Sequence, residues 1–207
     1  MPAPGELADA TVRVAVEATF GAQAQWAKRY AELLCTAGIE RGLIGPREAD
    51  RIWSRHVFNC VSLASLIPHG ARVVDLGAGA GLPGIPVALA RPDLAMVLLE
   101  PMARRVAFLA ECVATLGLSR VEVRQGRAPE SLPAADVVIA RAVAGLPALA
   151  SMALPVRSNA ELLALKGSTV ASEAAELTAV GGYVAEILEL TDPMGAAATV
   201  ARVRRAR

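Results

Sequence analysis

From Ala71 onward, short apolar runs alternate with longer amphipathic stretches, and the first run opens into a turn carrying glycine at every second position. The runs cover 71–76 (ARVVDL), 95–100 (AMVLLE), 120–125 (RVEVRQ), 136–140 (DVVIA) and 160–165 (AELLAL). Helical periodicity fills 84–91, 102–117, 145–154 and 168–180 between them. Strand and helix in regular succession predict parallel pairing, with helices covering both faces of the sheet. Residues 182–190 and 197–205 break the rhythm, two strand-like segments joined by a turn at Asp192, Pro193 and Gly195. They predict an antiparallel hairpin at the end of a mostly parallel, seven-stranded α/β sheet.

Ahead of this pattern, apolar residues from Leu7 to about Leu66 recur at helical intervals, and Gly38, Gly42, Gly45 and Pro46 read as helix ends. Pro68, His69 and Gly70 form a turn-rich joint, dividing the chain into a helical extension (1–69) and an α/β domain (70–207). The chain is 54% hydrophobic with a net charge of +1, enough apolar surface at little charge to exclude disorder. A balance of 21 basic against 20 acidic residues argues against a purely electrostatic nucleic-acid binder while allowing a local basic patch. The richest apolar stretches, 73–90 and 137–156, are broken by Asp75, Arg141, glycines and prolines, so no spanning helix is expected. Residues 1–6 (MPAPGE) lack the basic and apolar regions of a secretory signal. Cys35, Cys60 and Cys112 are odd in number and far apart, which predicts neither a disulfide framework nor a zinc site. A cytoplasmic protein without metal or membrane anchor is the expectation.

The segment from Val73 to Gly84 (VVDLGAGAGLPG) carries most of the chemistry. A strand ends at Asp75, and Gly77, Gly79 and Gly81 follow before a helix opens near Pro83. Such glycines let the backbone turn sharply and approach a ligand. Dinucleotide sites space their glycines G-x-G-x-x-G around a pyrophosphate, whereas here Leu82 stands where that spacing wants glycine. Asp75 would repel a pyrophosphate and suit the ammonium of S-adenosylmethionine. Glu100 ends the next strand, placed to accept bonds from both hydroxyls of an adenosyl ribose.

With these residues the chain resembles the class I methyltransferases of Rossmann-like fold, and more narrowly the RsmG (GidB) family of small-subunit ribosomal RNA guanine-N7 methyltransferases. The likeness runs through Asp75–Asp93, including Leu82-Pro-Gly-Ile-Pro86 and Arg91-Pro92. It continues at Arg104-Arg-Val-Ala-Phe-Leu109, Gly126-Arg-Ala128, Ala140-Arg-Ala142 and Ala164-Leu-Lys-Gly167. Arg55-His-Val-Phe-Asn59 and the helix bearing Trp26 and Tyr30 resemble the family's N-terminal region. The resemblance implies S-adenosylmethionine as cofactor, N7 of a guanine in the decoding-site loop of 16S rRNA as target, 16S rRNA or the 30S subunit as partner, and a monomer. It also implies that Ala128 and Pro129 lie beside the adenine. One departure stands there: the family usually has an acid where this chain has Pro129, and proline removes a backbone donor.

Guanine N7 has a free lone pair, so few catalytic side chains are expected. Arg141, ending the fourth strand, faces the crevice, where it would contact the cofactor carboxylate, the guanine O6 edge or a phosphate. Lys166, one of the two lysines, ends the fifth strand; holding an RNA phosphate and resting as a solvated charge are both open to it. Arg202, Arg204, Arg205 and Arg207 form the densest positive cluster, with Arg202 and Arg204 on one strand face, either steering rRNA or guarding an edge strand. His56 and Asn59 share a helix face and are expected to pin the extension to the core; Trp26, Tyr30 and the three cysteines are expected to pack. The residues alone also admit a small-molecule methyltransferase or a non-catalytic nucleotide-binding module.

Overall fold

The computed structural model describes residues 5–155 and 159–206. Seven strands form one sheet: β1 (Arg72–Leu76), β2 (Ala95–Glu100), β3 (Val121–Gln125), β4 (Val137–Arg141), β5 (Glu161–Lys166), β6 (Tyr183–Thr191) and β7 (Ala197–Arg205). Their order is β3-β2-β1-β4-β5-β7-β6. Pairing is parallel among β1–β5, and β7 runs antiparallel between β5 and β6. The order reverses at β1, between β2 and β4, so the crevice of an open α/β sheet falls beyond the carboxyl ends of those strands.

The central strands are apolar throughout because helices cover both faces: β1, β4 and β5 are buried along nearly their whole length, whereas β6 at the edge is largely exposed. Alternation along β1 sends Val73 and Asp75 to one face and Val74 and Leu76 to the other. On the Val73 face pack α1 (Ala10–Phe20), α2 (Ala24–Leu33), α3 (Phe58–Val61), α4 (Gly84–Ala90) and α5 (Ala103–Thr115), around Tyr30, Trp53, Phe58 and Phe108. On the Val74 face pack α6 (Leu146–Ala153) and α7 (Val170–Val180). The joint near residue 70 therefore marks a change of pattern, and the extension and the sheet share one core.

The extension is helical, but not as four clean breaks. Gly38 does not end a helix: α2 runs on through a π turn at Leu34–Gly38. A Cβ there would sit 3.4 Å from Leu33 O and 3.8 Å from the Phe108 ring, ordinary contacts, so neither termination nor a steric requirement accounts for the glycine. Gly42, at φ +65°, lies in the turn that follows. Pro46 opens a 3-10 segment (Pro46–Arg51), followed by a π segment (Ile52–Val57) that carries His56.

Candidate functional site

The turn after β1 is built from all three alternating glycines at positive φ: Gly77 at +71°, Gly79 at +59° and Gly81 at +93°. Side chains rarely adopt this region, so glycine is required by the backbone itself. The amides of Gly77 and Ala78 donate to Leu99 O at 2.8 and 3.1 Å, tying the turn to β2. Space around the three positions differs. A Cβ on Gly77 would fall 2.9 Å from Val143 Cγ2, and one on Gly81 2.5 Å from Ile85 Cδ1. Only at Gly79 is the nearest atom an ordinary contact, Gly77 O at 3.7 Å. Beside Gly79 there is open space, while Gly77 and Gly81 are hemmed in by the protein's own side chains.

Three buried side chains hold this turn. Glu100, 1% exposed, accepts the Gly79 amide on Oε2 at 2.9 Å and the Met102 amide on Oε1 at 3.0 Å, with Arg105 Nη1 3.7 Å away. Tyr30, fully buried on α2, donates its hydroxyl to Ala80 O at 2.8 Å. Asp75, also fully buried, accepts the Gly84 amide on Oδ2 at 2.8 Å, while Oδ1 has no partner. Asp75 therefore sits behind the turn and not on the cleft wall, because the alternation of β1 aims it under the helical extension. Burial pushes its carboxyl up to about 7, against the Gly84 amide and Arg141 and with the help of Glu100. Gly84 makes this placement possible: a Cβ there would lie 2.6 Å from Asp75 Oδ2 and 2.4 Å from Leu98 Cδ2.

In front of the turn lies a cleft of about 290 Å³. One wall is the turn itself, Gly77–Ala80 with Leu82; the other comes from the extension, at Leu43–Gly45, Glu48 and His56, and Arg105, Arg141 and Ala142 close the remaining side. Arg141 Nη2 lies 3.1 Å from His56 Nδ1, and His56 Nε2 lies 2.8 Å from Glu48 Oε2. The pinning of the extension by His56 is thus observed, through Arg141. Ala128 and Pro129 lie in the turn after β3, which is tied to β2 by the Gly126 amide donating to Glu100 O at 3.1 Å. They stand outside the cleft lining, Ala128 buried and Pro129 exposed. Among the described residues no group of three or more metal-ligating side chains converges.

Two sequence expectations about RNA contact meet different partners. Lys166 is not free to hold a phosphate: its side chain, 10% exposed, donates to Ala144 O at 2.7 Å and to Glu173 Oε2 at 2.6 Å. Glu173 also accepts the Leu146 amide at 2.8 Å, so this pair clasps the segment 142–146 after β4, in which Ala142 has φ +54°. Arg202 and Arg204 do share a face, but both turn to Glu161 Oε2, at 3.5 and 2.7 Å, and Arg202 also to Glu186. Glu161 begins β5, while the cleft lies at the other end of the sheet. The antiparallel register, Leu162 against Val203 and Lys166 against Thr199, carries the basic end of β7 away from the crevice. Arg207 lies outside the described residues. Trp26 packs against the core, and the three cysteines are free, with burial pushing the Cys60 thiol up to about 11 and Cys112 up to about 12.

Glu48 and Glu173 were not singled out from the sequence. Neither stands in a motif: Glu48 reaches His56 across a 3-10 to π junction, and Glu173 reaches Lys166 from a helix to a strand end. Gly84, Tyr30 and Arg105 do lie within or beside recognised motifs, yet their bonds to the turn come from folding alone.

The sheet order, the reversed terminal hairpin and a glycine turn at the carboxyl end of the central strand define a class I methyltransferase. The chain is similar to the solved structure of the mitomycin 7-O-methyltransferase MmcR, with a TM-score of 0.59 and 22% identity, covering 100% of this chain and 74% of that one. The family model described as rRNA small subunit methyltransferase G (GidB) matches residues 23–186, and the chain belongs to that family. A relative named Ribosomal RNA small subunit methyltransferase G from Frankia casuarinae is 54% identical, over 77% of this chain and 63% of its own length. One of the same name from Kineococcus radiotolerans is 47% identical, over 99% of this chain and 85% of its own length.

Proposed function

We propose that the protein transfers a methyl group from S-adenosylmethionine to N7 of a guanine in the decoding-site loop of 16S rRNA. The observation that carries this reading is the family match over residues 23–186, which contains every side chain lining the cleft. The residues present fit the donor. Gly79 leaves the turn open toward the cleft, and behind the turn stand two buried carboxyls, Glu100, bonded to the Gly79 and Met102 amides, and Asp75, with its Oδ1 unpartnered. Two buried carboxyls favour a cationic ligand over a pyrophosphate. Gly77, Gly79 and Leu82 line the cleft and would meet the donor, while Asp75, Gly81 and Glu100 would hold the turn from behind, and Ala128 and Pro129 stand outside the lining. When bound, S-adenosylmethionine supplies an electrophilic methyl on sulfonium.

The protein's own contribution is placement. N7 carries a lone pair and no proton, so no general base is needed, and the cleft offers none that is free: Glu48 is bonded to His56 and paired with Arg51 and Arg55. Arg141 lines the cleft together with Arg105 and, ending β4, is suited to the O6 edge of guanine or to a phosphate. Methylation of the small subunit would be carried out in the cytoplasm; among the described residues no helix is long and apolar enough to cross a membrane.

Mapping of N7-methylguanosine in 16S rRNA from cells with and without the gene tests the reading, alongside transfer in vitro to 30S subunits and to free guanosine. One methylated guanine lost with the gene supports it; an unchanged map, or efficient use of the nucleoside alone, refutes it.

A further inference from the structure

A guanidinium can only donate hydrogen bonds, and this dictates the state of the imidazole beside it. Arg141 Nη2 lies 3.1 Å from His56 Nδ1, so Nδ1 offers its lone pair and the ring proton sits on Nε2. There, 2.8 Å away, Glu48 Oε2 is ready to accept it. Both neighbours select the same neutral tautomer. We infer that His56 is a positioning residue for methyl transfer, holding the Arg141 guanidinium at the cleft through a neutral Nδ1, so that the helical extension completes the site. The inference rests on the reading above, in which Arg141 meets the substrate.

The charged groups facing the imidazole are Glu48 and Arg55 from the extension and Arg141 from β4. Glu48 is shared with Arg51 and Arg55, so its carboxylate is already well supplied with cations. Burial, then Arg141, hold His56 below its ordinary range, opposed by Glu48. Protonation would place an N–H where the lone pair stands and a cation against a cation. The hold on Arg141 is therefore present above the pKa of His56 and lost as pH falls through it. This dependence separates positioning from simple packing, which a ring of the same size would satisfy in either state.

The chain has two histidines, His56 and the highly exposed His69, so long-range nitrogen–proton NMR spectra report His56 directly once His69→Gln assigns the other. The expected result is the Nε2–H tautomer. Transfer from S-adenosylmethionine to 30S subunits lacking the methyl group is then measured across pH for two variants. His56→Asn presents a carbonyl where Nδ1 stood, whereas His56→Gln reaches toward Glu48 instead. Loss of one bond to a charged group predicts a fall in kcat/KM of about tenfold or more for His56→Gln. His56→Asn is expected to recover most of that loss and to abolish the acid limb of the wild-type profile. In an Arg141→Ala background, His56→Gln should cost nothing further. The Nδ1–H tautomer, equal impairment of the two variants, or additive losses would each overturn the inference. Absence of any transfer by the wild-type protein refutes the functional reading instead, and is told apart because the tautomer is read without activity.

Discussion

Asp75→Asn isolates the cost of burying one carboxyl in the ligand-free protein. The substitution keeps an oxygen for the Gly84 amide and removes the titrating group. It places an amide nitrogen at the unpartnered Oδ1 position, a loss independent of pH. Burial moves Asp75 from 3.8 to about 7. A carboxyl with its folded pKa above its unfolded one favours folding fully below about pH 4, and that contribution is lost as pH rises through about 7. The gap between the two values corresponds to about 4 kcal/mol, a large fraction of the roughly 5–15 kcal/mol that stabilises a domain. Urea unfolding followed by tryptophan fluorescence, at steps between about pH 4 and pH 8, reads both proteins. Groups common to both cancel in the difference, so the stability of the wild type relative to the variant should fall by several kcal/mol, on the order of the figure above, across that window. Parallel stability curves without ligand would refute burial as the force acting on Asp75.

Three further outcomes follow from the same geometry. Gly77→Val forces a β-branched residue to φ +71° and against Val143; about 2 kcal/mol of strain and loss of S-adenosylhomocysteine binding by calorimetry are expected, and wild-type affinity in a folded variant would refute the role of the turn. Lys166→Met leaves Glu173 and Ala144 O without their cation and should destabilise by about 2–4 kcal/mol in urea; a phosphate-binding lysine would instead weaken 30S binding at unchanged stability. Arg204→Ser removes an exposed charge at the end of the sheet away from the cleft, where Arg202 still faces Glu161, so transfer to 30S subunits and its salt dependence should stay as in the wild type.

The sheet was legible from residue 71 onward because its signal is local. Every strand and helix expected from the alternating runs is present within about two residues, the usual uncertainty at element ends. Buried parallel strands must be apolar on both faces, and the loss of that pattern in 182–205 marked the hairpin. The extension was less legible: Gly38 reads as a stop but lies inside a continuing helix, because glycine does not by itself end a helix whose packing carries it on. At the site, the glycine turn follows β1 as its spacing predicts, and Glu100 ends β2 with its oxygens turned to the Gly79 and Met102 amides. Asp75 lies behind the turn and outside the cleft lining, a consequence of strand alternation combined with what covers that face. The basic tail, for which steering RNA and guarding an edge were both open, lies at the start of β5, since an antiparallel final strand returns its end there.

Residue types and their periods by themselves determined the α/β class, the glycine turn and its acids, and a crevice at the carboxyl ends of the strands, since each follows from backbone geometry over a few consecutive residues. Only the tertiary structure decided who partners whom. His56 with Arg141, Lys166 with Glu173, and Tyr30 with the Ala80 carbonyl join residues from different elements. Pairings between elements depend on how layers stack, which no local spacing encodes.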